Sequence, residues 1–245
     1  MTGGMAPDNH CCELGEGLFV SGDMVVWLGI AADQVYIRQR GMVKRFDLPV
    51  KATVILDCLD DTPIVASDKG LGAIAVSAGK YHLLQDYASV FCSDTHRTND
   101  GCKLSSGRFL VGTMHKMSPN GVPGAVFFLD GSGTAHKVIS GIHIPNSFIE
   151  IAKDVVLITD SYLGIIYKCT FDAHTLLART KWYEAEESES PDGGCILPDD
   201  RIAIAVWDAA CIRIFDHLGS QIFDLPVSAK RPTNTKYDRK IMYFG

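Results

Sequence analysis

The sequence lacks the features that would place the protein in a membrane or on a nucleic acid. Its longest apolar run, residues 24–32, is far too short for a bilayer, which needs about 20 apolar residues. Lys and Arg number 23 against 29 Asp and Glu, for a net charge of −6, and no basic block occurs. Binding to a phosphate backbone needs clustered basic residues. We therefore expect neither a membrane nor a nucleic acid as partner.

Paired cysteines and a leader-like start are also missing. The eight cysteines form no CxxC pair, and a disulfide framework is typical of short secreted chains. The opening residues, MTGGMAPDNHCC, have neither a basic start nor the apolar stretch of a signal peptide. We expect reduced cysteines that pack as small apolar side chains, and a cytoplasmic protein.

Helical periodicity is nearly absent, and apolar residues alternate with a period near two. The apolar runs are short, and Gly-containing turns such as Ser-Ser-Gly separate them. Only residues 171–187 resemble a helix, and their Glu-rich end is better explained as a strand that leads into a solvated loop. The pattern predicts an all-β fold.

A pair of apolar strands recurs along the chain. GAVFFLD ends at Asp130, GIIYKCTFD at Asp172 and CIRIFD at Asp216, and each follows another apolar run. The three aspartates are 42 and 44 residues apart. A hairpin that repeats at this period is typical of a β-propeller, in which each blade is a small sheet. We expect one propeller domain over residues 1–245, long enough for between five and six blades.

Four segments at predicted blade entries carry polar side chains, namely LGEG (14–17), RTNDG (97–101), IPNS (144–147) and SPDG (190–193). Taken singly, each is an ordinary turn sequence. In a propeller, however, the inner strands converge on a central channel, so their ends point side chains at a common axis. The four segments together therefore predict one site.

These segments resemble, in order, motifs of the senescence marker protein/gluconolactonase/regucalcin-like family of six-bladed propellers. LGEG, RTNDGCKLSSGRFLVGTM, GAVFFLD, IPNSF with LITDSY, and SPDGGCI each have a counterpart there, over about residues 11 to 240. The resemblance implies a six-bladed β-propeller. Because the sequence ends in a strand-like segment at residues 241–245, we expect the last blade to be incomplete or closed by the N-terminal segment.

The resemblance places the metal ligands of the family on Glu16, Asn146 and Asp192. Two carboxylates and an amide form an all-oxygen site, which suits hard cations such as Ca²⁺, Mg²⁺ or Mn²⁺. Members of the family accept several divalent metals, Zn²⁺ among them. We expect one divalent ion, with Ca²⁺ as the first candidate.

The resemblance also implies a substrate and a reaction. It makes Asp192 the general base in the hydrolysis of a sugar lactone, a small-molecule substrate, whose carbonyl the metal would polarise. Arg97, Asn99 and Asn120 would contact the substrate, and Asn120 replaces a glutamate that is frequent in the family. Asp100 receives a supporting role.

Two further departures from the family are Leu18, in place of a proline, and Ser147, in place of the glycine after the metal-binding asparagine. A non-catalytic propeller that binds calcium or another metal and acts as a binding or regulatory module is the alternative function. Hydrolysis of phosphotriesters at the same site is a third. An open last blade would expose an unpaired strand edge, which a homo-oligomer could cover.

Overall fold

Short strands make up most of the described residues. The structure, a computed structural model, describes residues 12–117, 122–238 and 241–245. In these ranges it has 22 strands, the short helix α1 (Ala88–Phe91) and a 3-10 turn at Ile30–Ala32. None of its described helices is long and apolar enough to span a membrane.

The strands form five four-stranded sheets, or blades, in which each strand pairs with the next along the chain, and one two-stranded sheet. Blade 1 comprises β1 to β4, at Gly15–Ser21, Met24–Gly29, Gln34–Gln39 and Met42–Asp47. Blade 2 comprises β5 to β8, at Ala52–Leu59, Thr62–Ser67, Gly70–Ala75 and Lys80–Asp86. Blade 3 comprises β9 to β12, at His96–Lys103, Phe109–His115, Gly124–Leu129 and Ala135–Ile142.

The remaining blades follow the same plan. Blade 4 comprises β13 to β16, at Pro145–Ala152, Val155–Asp160, Ile165–Asp172 and Thr175–Glu184. Blade 5 comprises β17 to β20, at Ser190–Ile196, Ile202–Trp207, Cys211–Phe215 and Gln221–Pro226. The two-stranded sheet contains β21 and β22, at Thr235–Asp238 and Ile241–Phe244.

The first strands of the sheets form a closed ring. Each of β1, β5, β9, β13, β17 and β21 contacts the next, and β21 contacts β1. A hydrogen bond from the Thr233 hydroxyl to the Gly15 carbonyl joins the two ends of this ring. A ring of inner strands with sheets radiating from it is a β-propeller, so the predicted all-β propeller is confirmed. The closure of the last blade by the N-terminal segment stays a prediction, because residues 1–11 lie outside the described ranges.

The repeat seen in the sequence corresponds to the second and third strands of blades 3, 4 and 5. The aspartates at the ends of these repeats are explained in part by turn formation. Asp130 Oδ1 accepts hydrogen bonds from the N–H groups of Ser132 and Thr134, and Asp216 Oδ1 accepts from those of Leu218 and Ser220. The stretch that resembled a helix is strand β16 followed by a loop, as predicted.

Apolar side chains fill the space between neighbouring blades. Separate buried clusters lie between blades 1 and 2, 2 and 3, 3 and 4, 4 and 5, and between blade 5 and the two-stranded sheet. Representative members, one for each junction, are Val26, Leu129, Phe128, Phe215 and Ile212. Each fully buried side chain of this size contributes about 1.5–3 kcal/mol, so stacked blades hold the inner strands in place around the channel.

Candidate active site

All five inner strands of the four-stranded blades carry a β-bulge near their start. In β1 the register shifts between Glu16 and Phe19, in β13 between Asn146 and Ile149, and in β17 between Pro191 and Gly194. Strands β5 and β9 show the same shift. A bulge places one extra residue on one strand and re-aims the nearby side chains. The repeated bulge thus gives blades 1, 3, 4 and 5 a common irregularity at the positions that carry the polar side chains.

The structure places four of the predicted site residues at or beside these bulges and Arg97 just before the bulge of β9. Their positions are Glu16 in β1, Arg97 and Asn99 in β9, Asn146 in β13 and Asp192 in β17. Asn120, the third predicted substrate contact, lies outside the described residues. Asn146 and Asp192 are buried.

A chain of hydrogen bonds connects three inner strands. Arg97 donates to Asn99 Oδ1 at 2.9 Å, and Asn99 Nδ2 donates to Asn146 Oδ1 at 2.8 Å. Asn146 Nδ2 in turn donates to Ser161 Oγ at 2.9 Å, and the Ser161 hydroxyl donates to the Pro191 carbonyl at 2.6 Å. Because Ser161 takes the amide nitrogen of Asn146, the oxygen of Asn146 is directed to the side of Asn99.

The carboxylates of the site interact through their charges. Burial raises the pKa of Glu16 well above its usual range, and the charges of Asp192 and Asp100 raise it further. Burial also raises the pKa of Asp192, and the charge of Asp100 adds to this effect. A buried and a half-buried carboxylate with raised pKa values are the arrangement that a bound cation would stabilise.

The donor set fits a hard divalent cation. Asp192 Oδ1 is buried, and no hydrogen-bond donor reaches it from residues 12–117, 122–238 or 241–245. An unpaired buried carboxylate oxygen is costly unless a cation or a donor compensates it. The oxygens of Asp192, Glu16 and Asn146 give an all-oxygen donor set of the kind that Ca²⁺ or Mg²⁺ prefers.

Arg97 supplies a positive charge that interacts with the Glu16 carboxylate. Burial lowers the pKa of Arg97, whereas the charge of Glu16 acts to raise it. One terminal nitrogen of the guanidinium already donates to the Thr98 carbonyl and to Asn99. A guanidinium has five N–H groups, and those of Arg97 that the protein does not use can donate to a small ligand.

Sequence reasoning did not single out Lys236 or Ser161, and it gave Asp100 only a supporting role. Burial raises the pKa of Asp100, but the charge of Lys236 and the backbone N–H groups of Ser147 and Phe148 lower it. Asp100 thus ties β9 to β13, and Lys236 adds a positive charge from β21. The Asp-Ser pair that ends LITDS (157–161) was the signal for Ser161. Lys236 stands in a segment without any motif.

Ser147 has a backbone conformation that glycine would adopt more easily. Its φ is 49°, in the left-handed region that L-residues rarely enter. The Ser147 hydroxyl donates to the Asp192 carbonyl, so it fixes β17 beside β13. This hydrogen bond explains how serine is accommodated at a position where the family that the sequence resembles has glycine.

The comparison with known families agrees with this geometry. The family described as SMP-30/Gluconolactonase/LRE-like region matches residues 14–244. The chain belongs to the SMP-30/gluconolactonase family. The resemblance predicted from the motifs is therefore confirmed.

Relatives and solved structures of similar fold are consistent with the SMP-30/gluconolactonase assignment. Pentonolactonase XacC of Haloferax volcanii is 26% identical over 226 residues, which cover 88% of this chain and 75% of that protein. Regucalcin of Agrobacterium tumefaciens, described as a calcium-binding protein, superposes with a TM-score of 0.83 at 20% identity, covering 93% of this chain and 79% of that one. A gluconolactonase of Xanthomonas campestris gives a TM-score of 0.73 at 14% identity, covering 91% and 78%.

Proposed function

We propose that this SMP-30/gluconolactonase family member is a metal-dependent hydrolase that opens the ester ring of a sugar lactone. The observation that carries the proposal is the pair of carboxylates, the half-buried Glu16 and the buried Asp192, with a raised pKa on each and an unpaired oxygen on Asp192. Relatives named as a pentonolactonase and a gluconolactonase support the substrate class.

Glu16, Asn146 and Asp192 would hold one divalent ion, with Ca²⁺ as the first candidate. Such an ion would supply Lewis-acid polarisation of the lactone carbonyl and would offset negative charge at that oxygen. The hydrogen bonds of Asn146 to Asn99 and Ser161 would fix the amide in its ligating orientation, as outer hydrogen bonds do for metal ligands in general.

Asp192 would also act as the general base. Its carboxylate would take a proton from the water that attacks the carbonyl carbon. As the ring C–O bond breaks, Asp192 would return that proton to the ring oxygen, which gives an open-chain hydroxy acid and regenerates the base. The raised pKa of Asp192 belongs to the metal-free site. The charge of a bound cation would lower that pKa and keep the carboxylate ionised, as a general base must be.

Arg97 would orient the substrate through the N–H groups that the protein does not use. Asn99 has a different part in this proposal, because its amide donates to both the Pro145 carbonyl and Asn146. We therefore assign Asn99 mainly to the orientation of Asn146. Its oxygen already accepts from Arg97 and has one further lone pair for a substrate donor. Asn120 remains a predicted substrate contact.

We also propose that β21 and β22 are the inner half of a sixth blade. The support is that β21 contacts both β17 and β1, which is the place of an inner strand between the fifth blade and the first. Among the described residues this sheet has two strands.

The test is an assay against five- and six-carbon aldonolactones, before and after chelation and with Ca²⁺, Mg²⁺, Mn²⁺ or Zn²⁺ added back. We expect hydrolysis that disappears on chelation and returns with at least one metal. A phosphotriester substrate forms a separate arm. Activity on the phosphotriester alone would replace the lactonase proposal, and metal binding without any hydrolysis would favour the non-catalytic propeller.

A further inference from the structure

A second group of side chains has the composition and spacing of a metal site. Asp130, His136 and His174 each offer one ligand atom, and these atoms lie within 4.8 Å of one another. Asp130 Oδ2 is 3.1 Å from His136 Nε2, and the rings of His136 and His174 stack with their centroids 4.0 Å apart. A tetrahedral ion with bonds of about 2.0–2.1 Å holds its ligand atoms about 3.3 Å apart, so turning the exposed His174 ring would complete the site.

Hydrogen bonds direct the Asp130 carboxylate toward the histidines. Its Oδ1 accepts from the Ser132 N–H at 2.9 Å, from the Ser132 hydroxyl at 2.7 Å and from the Thr134 N–H at 3.3 Å. These contacts occupy one oxygen and leave Oδ2 facing His136. A ligand held by such contacts has lost much of its freedom before an ion arrives, which favours binding.

The turn that carries His174 is also held in place. Its neighbour Ala173 has a φ of 47°, and the Ala173 carbonyl accepts a hydrogen bond from Arg108. The Arg108 guanidinium lies 4.6 Å from the centroid of the Phe128 ring, and His174 meets the same ring edge-on at 6.4 Å. Arg108 of blade 3 thereby fixes the β15–β16 turn of blade 4 beside His136.

This cluster lies at the opposite end of the propeller from the channel site. Asn99 stands near the start of β9, and the strands of blade 3 alternate in direction. Asp130, just after β11, is therefore at the far end, and His136 follows on β12. His174, in the turn after β15, is at the far end of blade 4.

We propose that Asp130, His136 and His174 bind one divalent transition-metal ion, with Zn²⁺ as the occupant, and so join blades 3 and 4. Two imidazole nitrogens and one carboxylate oxygen suit Zn²⁺ or Cu²⁺ and do not suit Ca²⁺. The channel site has only oxygen donors, so it prefers Ca²⁺ to Zn²⁺ or Cu²⁺. This second site is independent of the proposed lactonase function, because it consists of other residues and binds another ion.

The test compares His174→Ala with His217→Ala as a matched control. His217 is an exposed histidine next to Asp216, whose Oδ1 accepts turn hydrogen bonds as Asp130 does. It belongs to no described metal-ligand group. Each protein is titrated with Zn²⁺ by calorimetry, and each is loaded with Cu²⁺ for electron paramagnetic resonance, which detects nitrogen ligands. Both measurements are repeated on Asp192→Asn, in which the channel site is weakened.

We expect the wild-type protein, Asp192→Asn and His217→Ala to bind Zn²⁺ at this site, to show nitrogen coupling to Cu²⁺ and to melt at a higher temperature with Zn²⁺. His174→Ala should lose at least about tenfold in affinity for this ion, together with the zinc-dependent rise in melting temperature. Equal Zn²⁺ binding by His174→Ala and the wild type would overturn the proposal. Equal losses in His174→Ala and His217→Ala would overturn it as well.

Discussion

Arg97 is a residue whose contribution to substrate binding can be separated from metal binding. It contacts Asn99 and Thr98, whereas the proposed ligands are Glu16, Asn146 and Asp192. A charged hydrogen bond to substrate is worth about 1.5–3 kcal/mol. Substitution of Arg97 by alanine should thus lower kcat/KM by roughly ten- to a hundredfold.

Steady-state kinetics and metal calorimetry on Arg97→Ala check this expectation. Arg45→Ala, which removes an exposed arginine from the outer strand β4, is the control and should keep wild-type kinetics. A change in metal affinity as large as the change in kcat/KM would contradict a role confined to the substrate.

Ser147 gives a prediction about stability. Alanine at this position keeps the left-handed backbone and loses the hydroxyl that bonds the Asp192 carbonyl, so Ser147→Ala should lose about 1–3 kcal/mol. Glycine loses the same bond but relieves a backbone cost of about 1–2 kcal/mol. Urea unfolding should therefore rank Ser147→Gly as more stable than Ser147→Ala. The opposite order would show that the backbone there is unstrained.

The bulges of the inner strands explain how residues of different blades reach one site, and Ser161 connects two of these strands. Ser161→Ala removes the acceptor of Asn146 Nδ2 and the donor to the Pro191 carbonyl. Loss of such an outer hydrogen bond usually costs 10–100-fold in metal affinity, and we expect about that loss here. Ser140→Ala, on an exposed position of β12, is the control. Unchanged metal affinity in Ser161→Ala would remove Asn146 from the proposed ligand set.

A second link between elements joins β19 and β20 to the loop before β17. The Arg213 side chain, 7% exposed, donates to both oxygens of Glu189 and to both oxygens of Asp224. These hydrogen bonds and the Arg213 charge lower the pKa of Glu189 and of Asp224. Glu189 lies three residues before Asp192, so this cluster also supports the strand that carries the proposed base.

The lowered pKa values predict a pH dependence of stability. A carboxyl group whose pKa is lower in the folded state stabilises the protein above its unfolded pKa, and it loses this contribution as pH falls through the folded value. The free energy of unfolding should hence decrease below about pH 5, and Glu189→Gln should flatten that decrease. The exposed Glu187→Gln is the control. If the free energy of unfolding of Glu189→Gln fell with pH as steeply as that of the wild type, the Glu189 carboxylate would have no part in this pH dependence.

Considered as a whole, the molecule could be predicted from its sequence where the signal repeats along the chain. The hairpins that end at Asp130, Asp172 and Asp216 became the second and third strands of three successive blades. The propeller and the common end of the site followed from that repeat. The number of blades could not be predicted from the repeat. The part of the chain after Pro226 has no such repeat and forms only two described strands.

Contacts between distant segments could not be predicted. The hydrogen bond between Asn99 and Asn146 joins residues 47 apart in the sequence, and each residue alone is a common turn former. The cluster around Asp130 has the same origin, since His174 belongs to the next blade. Such pairs form because neighbouring blades stack on each other. A local sequence pattern does not indicate which residues this stacking brings together.

The central claim is that the channel is a lactonase site in which Asp192 removes a proton from water. The most direct test is the rate of proton release from an aldonolactone at constant pH, with Ca²⁺-loaded wild-type protein and Asp192→Asn. We expect the wild type to exceed the spontaneous rate, and Asp192→Asn, which keeps an oxygen ligand without the basic carboxylate, to lose nearly all of that excess. Proton release by Asp192→Asn at the wild-type rate, or by the wild type at the spontaneous rate, would contradict the claim.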